Sequence, residues 1–265
     1  MEIIPLKTAL LESKFNLLEA LKKSVIRAKT RLRDGDVVVI SSKIVALSQG
    51  RLVDLRKVKL SANARRLFKK IHKKRIATDP RVLELAIRES QAVFPAAALL
   101  TLKDNMLVPA AGIDLSNVPK NFAILWPENP WQAVGKLRQT LRTKLKIKKL
   151  GLVICDSQCH PLRWGTIGLA VAWAGFDGVE DARGQKDIFG KKLVLTRKAV
   201  ADNLSSGALL VMGEAAEKIP FALIRGAKVN FTNRRQREDE IFVKPEDDIF
   251  GGIYSKKALR LMSGL

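Results

Sequence analysis

Four short apolar runs constrain this chain more than any other feature: VVVIS (37–41), GLVIC (151–155), TIGLAVAWAG (166–175) and FALIRG (221–226). β-Branched residues favour an extended backbone, and runs this short suit buried strands better than bilayer spans. VVVIS follows the turn signal Asp34-Gly35-Asp36 and predicts a buried strand. GLVIC predicts a strand whose far end delivers Asp156, TIGLAVAWAG a central strand or pair, and FALIRG a further strand. Shorter strands are expected at 97–102 and 106–110. No apolar run reaches bilayer length, and the start MEIIPLK is unlike a signal peptide. The expected location is therefore the cytoplasm, with no membrane contact.

Between these runs the periodicity changes. FNLLEALKKSVIRA (15–28) has helical apolar spacing, and Asp79-Pro80 is a helix start because aspartate caps and proline suits the first turn. Asn129-Pro130 opens another helix, with Trp131, Val134, Leu137 and Leu141 on one face. A last helix is expected over 197–212, ending at Gly213, and the tail beyond about 230 is charged and loop-like. Strands mixed irregularly with helices predict an α+β or α/β body instead of a regular doubly wound sheet. The chain has 265 residues, enough for one large domain or two small ones.

Lys and Arg number 48 against 26 Asp and Glu, a net charge of +22 that attracts polyanions from nucleic acid to nucleotides and polycarboxylates. Segment 56–75, RKVKLSANARRLFKKIHKKR, holds ten basic residues and no acid. Its apolar positions Leu60, Ala64, Leu67, Phe68 and Ile71 predict a solvated amphipathic helix, with Ser61 available as a cap. A nucleic-acid surface is the less favoured reading, since Phe68 alone offers no base-stacking platform.

The stretch VICDSQCHPLRWG (153–165) gathers both cysteines of the chain, Asp156, Ser157 and His160. As a sulfur site it supplies at most three soft ligands, and the other histidine, His72, lies in the basic segment. Structural zinc wants four. Cys155 instead suits a core position, where a free thiol behaves as a small hydrophobe. Three carboxylates are placed as oxygen donors at element ends: Asp114 in AAGIDLSNVP, Asp156 after its strand, and Glu214 after Met212-Gly213. Hard divalent cations take such ligands together with phosphate oxygens. Each of the three can equally be a turn, cap or helix-terminus residue. No Walker loop, GxGxxG or GxSxG occurs.

Taken in order, several blocks resemble the GTP-dependent γ-glutamyl ligases of coenzyme F420. They are DGDVVVISSKIVALSQGR (34–51), DPRVLELAIRES (79–90), AGIDLSN (111–117), DSQCHPLRWG (156–165), GQKDIFGKKL (184–193), TRKAVAD (196–202), MGEAAEKIP (212–220) and PEDDIF (245–250). The resemblance covers nearly the whole chain, so residues 1–265 are expected to form one ligase-like unit of two α+β parts, assembled as an intertwined homodimer. It implies that GTP activates a carboxylate of the coenzyme precursor F420-0 as an acyl phosphate, which the amine of L-glutamate then attacks. It further implies two Mg2+ or Mn2+ ions per site, held by Asp114, Asp156, Ser157 and Glu214. The nucleotide would meet Ser41, Ser42, Asn117, Met212, Gly213, Glu214 and Ile219.

The chain departs from the family pattern at Leu47, where lysine is usual, and at Cys159-His160, where the pattern has Gly-Arg. It also reads AAEK in the loop after Glu214, where the family favours glycines, and KTALLESK at a nucleotide-contacting LPLI-type segment. These changes leave two alternatives beside the F420 ligase: an amide-forming ligase with another acceptor or amino acid, and an inactive homologue that binds nucleotide or nucleic acid through its basic surface.

Overall fold

A computed structural model describes residues 1–72, 79–95, 99–245, 247–254, 256 and 258, with only the backbone described for Lys70, His72 and Pro95. In chain order the first elements are β1 (Glu2–Leu6), α1 (Leu17–Arg27), β2 (Asp36–Ser41), α2 (Ser42–Ser48) and β3 (Leu52–Asp54). Then come α3 (Ala62–His72), α4 (Pro80–Glu89), β4 (Ala92–Pro95), β5 (Leu99–Lys103), β6 (Met106–Pro109) and β7 (Phe122–Ile124). The chain continues with α5 (Pro130–Leu145), β8 (Leu150–Cys159), β9 (Thr166–Ala174), β10 (Val179–Asp181), β11 (Arg197–Ala199), α6 (Val200–Met212) and β12 (Phe221–Arg225). The body is α+β, and it divides into two compact units: Met1–Gln49 with Pro127–Ile241, and Gly50–Trp126 with Phe242–Leu265.

The first unit is built on a five-stranded sheet of order β1-β12-β2-β8-β9, in which only β2 and β8 are parallel. Val37 and Val39 of β2, Val153 and Cys155 of β8, and Ala222 and Ile224 of β12 join one core with Ala201, Leu204, Ala208 and Met212 of α6. The intervening Val38, Ile40, Leu152, Ile154, Phe221 and Leu223 are buried too. Strands buried on both faces need apolar residues at consecutive positions, and that is why these runs show no alternation in the sequence. Pro5 is tolerated in β1 because β1 is an edge strand.

Glycine brings helix and sheet together at Gly168 on β9, where an added Cβ would lie 2.5 Å from the Ser205 carbonyl carbon of α6. The Ser206 hydroxyl donates to the Gly168 carbonyl at 2.8 Å, and the half-buried Asp202 carboxylate accepts the Ala170 N–H at 2.8 Å. On α5, Val134 and Leu141 are buried and Trp131 meets Trp173 edge-on, with ring centroids 4.7 Å apart. Arg138 on the same helix is buried; its Nε donates to the Leu150 carbonyl and its Nη2 to the Thr232 carbonyl and Asn233 Oδ1.

The second unit holds two antiparallel sheets, β4-β5-β6 and β3-β7. Leu67, Phe68 and Ile71 of α3 pack with Leu83 and Ala86 of α4, and with Leu99 and Ala111. The basic segment forms an amphipathic helix over Ala62–His72 only, and Ser61 caps it by accepting the Ala64 N–H. Leu60 precedes that helix instead of joining its face. Residues 73–75 lie outside the described residues, as do 97–98 of the expected strand 97–102 and Glu246 of PEDDIF.

Three expected boundaries move. The GLVIC strand does not stop before Asp156 but runs to Cys159, because β9 continues to pair with it as far as Thr166. TIGLAVAWAG forms one strand as far as Ala174, and that strand lies at the edge of the sheet instead of its centre. Residues 197–199, expected in a helix, pair with β10 before α6 starts at Val200.

Candidate active site

The carboxyl ends of the parallel pair β2 and β8 bring two predicted residues into contact. Ser41 ends β2, pairs with Cys155, and donates its N–H to the Pro220 carbonyl. Ser42, buried at the start of α2, donates its hydroxyl to Asp156 Oδ1 at 2.6 Å. Alternation along β8 sends Cys155 and Ser157 to the α6 side and Asp156 and Gln158 to the other. Ser157 lies opposite Gly168 on β9.

Met212, Gly213, Glu214 and Ile219 mark the exit from α6. Met212 is buried against the sheet, and Ile219 packs on the same core. Gly213 has φ +73°, a left-handed value that stops the helix and is open to glycine at little cost. Directly beyond it, Glu214 Oε1 accepts the Thr166 hydroxyl at 2.9 Å, which ties the loop to the start of β9. Asp114 and Asn117 belong to the second unit. Asp114 pairs by its backbone with Ile124, and its Oδ1 accepts the Ser116 N–H at 2.6 Å; Asn117 has φ +53°.

Burial pushes the Cys155 thiol far above its ordinary range, and the charges of Asp156 and Glu214 push it further. The thiol stays protonated at neutral pH and packs as a small apolar group in the core. Cys159 is exposed and free. Among the described residues no three His, Cys, Asp or Glu side chains are gathered into a ready metal cage. Oxygen donors in ones and twos remain, the sparse set with which magnesium completes its shell from water and phosphate.

Sequence reasoning overlooked Thr166, which holds Glu214, and Gln158, which is 5% exposed with no partner on Nε2. Neither carries a signal of its own. Thr166 is one residue at the edge of an apolar run, and its partner is distant in sequence.

The model of the family "F420-0:Gamma-glutamyl ligase" matches residues 5–226. The chain is 34% identical over 236 residues to the coenzyme F420:L-glutamate ligase of Methanocaldococcus jannaschii, covering 88% of this chain and 91% of that protein. It is 32% identical over 231 residues to the protein of the same name from Methanopyrus kandleri, covering 85% and 89%. With that of Methanosarcina mazei it shares 35% identity over 206 residues, covering 77% and 78%. The matches run through both units of the fold and through every element that carries Ser42, Asp114, Asp156 and Glu214, and the chain belongs to the F420-0:gamma-glutamyl ligase family.

Proposed function

We propose that this C–N bond-forming ligase adds L-glutamate to coenzyme F420-0, with GTP as cosubstrate and Mg2+ or Mn2+ bound. A carboxylate oxygen of the acceptor attacks the γ-phosphorus of GTP, the bond to the β-phosphate oxygen breaks, and GDP leaves. The glutamate amine then attacks the acyl carbon, loses a proton, and expels phosphate. The observation that carries this reading is the match to relatives named coenzyme F420:L-glutamate ligase across nearly the whole chain.

The donor chemistry fits a hard cation. Asp156 and Glu214 offer carboxylate oxygens, the first accepting a hydroxyl from Ser42 and the second from Thr166, and hard oxygen donors of this kind suit magnesium or manganese. Bound divalent ions would neutralise triphosphate charge and orient the transferring phosphoryl group. In this reading Asp114 and Ser157 complete the ligand set. Ser41, Asn117 and the Met212–Ile219 turn meet the nucleotide. A homodimer, the other part of the proposal, is supported by the exposed apolar arm around Ile188 and Phe189.

Incubation with GTP, manganese or magnesium, L-glutamate and F420-0 tests the proposal by mass spectrometry. The expected product carries one or more added glutamyl units, disappears with chelator, and forms with release of GDP. GTP binding indifferent to chelator, with no mass added, would overturn it.

A further inference from the structure

One group of exposed cations of the first unit lies at the end of its sheet away from Asp156. β2 and β8 run parallel in the register Asp36↔Leu150, so the segments entering them are neighbours. Those segments carry Arg31, Arg33, Lys144, Lys146, Lys148 and Lys149, all exposed. From Leu150 to Asp156 the strand climbs roughly 20 Å at about 3.3 Å per residue. The basic surface is therefore at the wrong end of the strands to hold a nucleotide beside Asp156.

The segments are fixed to each other by backbone bonds. Asp34 Oδ1 accepts the N–H groups of both Lys148 and Lys149 at 2.7 Å, and the Gly35 N–H donates to the Lys149 carbonyl at 2.8 Å. Arg225 ties the neighbouring edge, donating to the Arg31 carbonyl at 2.8 Å and to Asp36 at 2.9 Å. Three of the bordering acids are already engaged: Asp34 by those N–H groups, Asp36 by Arg225, and Glu19 by Lys22. The Glu19 carboxyl is held below its usual range by Lys22 first, with Lys144 and Lys23 adding to it, so α1 and the end of α5 contribute to one electropositive surface.

We propose that this surface, at the amino ends of β2 and β8, binds the phosphate backbone of double-stranded nucleic acid without reading its bases. A duplex offers one charge per about 1.7 Å of axis, a density that a fixed row of cations can exploit through counterion release. No aromatic residue lies in segments 22–36 or 142–150, so there is no platform for stacking single-stranded bases. A membrane surface fits less well, because the apolar face of α1 is buried at Ala20, Leu21 and Val25.

Anisotropy titration of labelled duplex RNA and duplex DNA of mixed sequence reads the proposal directly and needs no turnover. Binding is expected at about 50 mM salt and should weaken on the order of a thousandfold by about 200 mM if all the named cations meet phosphate. The triple variant K144E/K148E/K149E is expected to lose binding at least about tenfold, and the neutral K144Q/K148Q/K149Q to shallow the salt slope by about two to three. R65E/R66E on α3 is the control and should change little. Circular dichroism establishes that each variant is folded. Duplex binding that survives both triple variants overturns the proposal, as does binding lost only in R65E/R66E. It also fails if wild type binds no duplex at low salt, or if phosphatidylglycerol vesicles bind where duplex does not.

Discussion

At the residue scale, Asp156 separates positions the sequence could identify from those it could not. Its place after an apolar strand made it a candidate, whereas its partner Ser42 is 114 residues away and is linked to it only by the parallel pairing of β2 with β8. Asp156→Asn keeps the shape and the Ser42 contact but removes the charge. Metal-dependent turnover is expected to fall by more than about a hundredfold with the melting temperature little changed, while Ser42→Ala, which removes one hydroxyl donor to the carboxylate, should weaken metal activation by about tenfold. Wild-type turnover in Asp156→Asn would take that residue out of the site. Asp202 calls for a different measurement. Burial raises its pKa above the usual aspartate value, although the Ala170 N–H acts in the opposite direction. A carboxyl whose folded pKa is raised costs stability once ionised, so the cost is absent below its unfolded pKa and fully present above its folded one. Asp202→Asn should therefore raise the melting temperature relative to wild type at about pH 8 and not at about pH 3. An equal shift at both pH values would mean that ionisation is not the cause.

At the scale of elements, the long helices and the central strands could be read because each has a local cause. Asn16 accepts the Glu19 N–H at 3.1 Å to start α1, and Asp79 accepts the Arg81 N–H at 2.8 Å to start α4. The two-sided burial of β2 and β12 explains their unbroken apolar runs. Elements with no local cause were missed. β1, β3 and β7 are short and exist through their partners, and α2 has only seven residues, SKIVALS, continuing directly from a strand. The extension of β8 to Cys159 is likewise a property of β9. The contact of α6 with β9 is the element-scale feature most open to test. Gly168→Ala sets a methyl against the Ser205 backbone, which cannot rotate away as a side chain can. The expected cost is about 1–3 kcal/mol by chemical denaturation, with turnover reduced because Glu214 follows the displaced helix. A neutral effect would mean that α6 shifts freely on the sheet.

At the scale of the whole molecule, apolar side chains left in water ask for a partner. Ile188 is 92% exposed, Phe189 88% and Leu195 85%. They lie on an arm that is ordered by its own backbone bonds: Asp187 N–H to the Lys191 carbonyl at 2.8 Å, Gly184 N–H to the Leu193 carbonyl at 2.8 Å, and Ala182 N–H to the Thr196 carbonyl at 3.1 Å. An arm that is rigid, apolar at its turn and basic along its flanks gains little by standing in solvent. A Phe side chain alone is worth about 1.5–3 kcal/mol when fully buried. In a two-fold assembly each such contact occurs twice, so a change in one residue acts twice on the association energy. Phe189→Asp, on an already exposed site, should leave the isolated subunit folded and halve the mass measured by light scattering. Wild type and variant running at the same mass would remove the arm from the interface. Loss of turnover together with dimer loss, restored by raising protein concentration, would mean that the ligase site depends on the assembled pair.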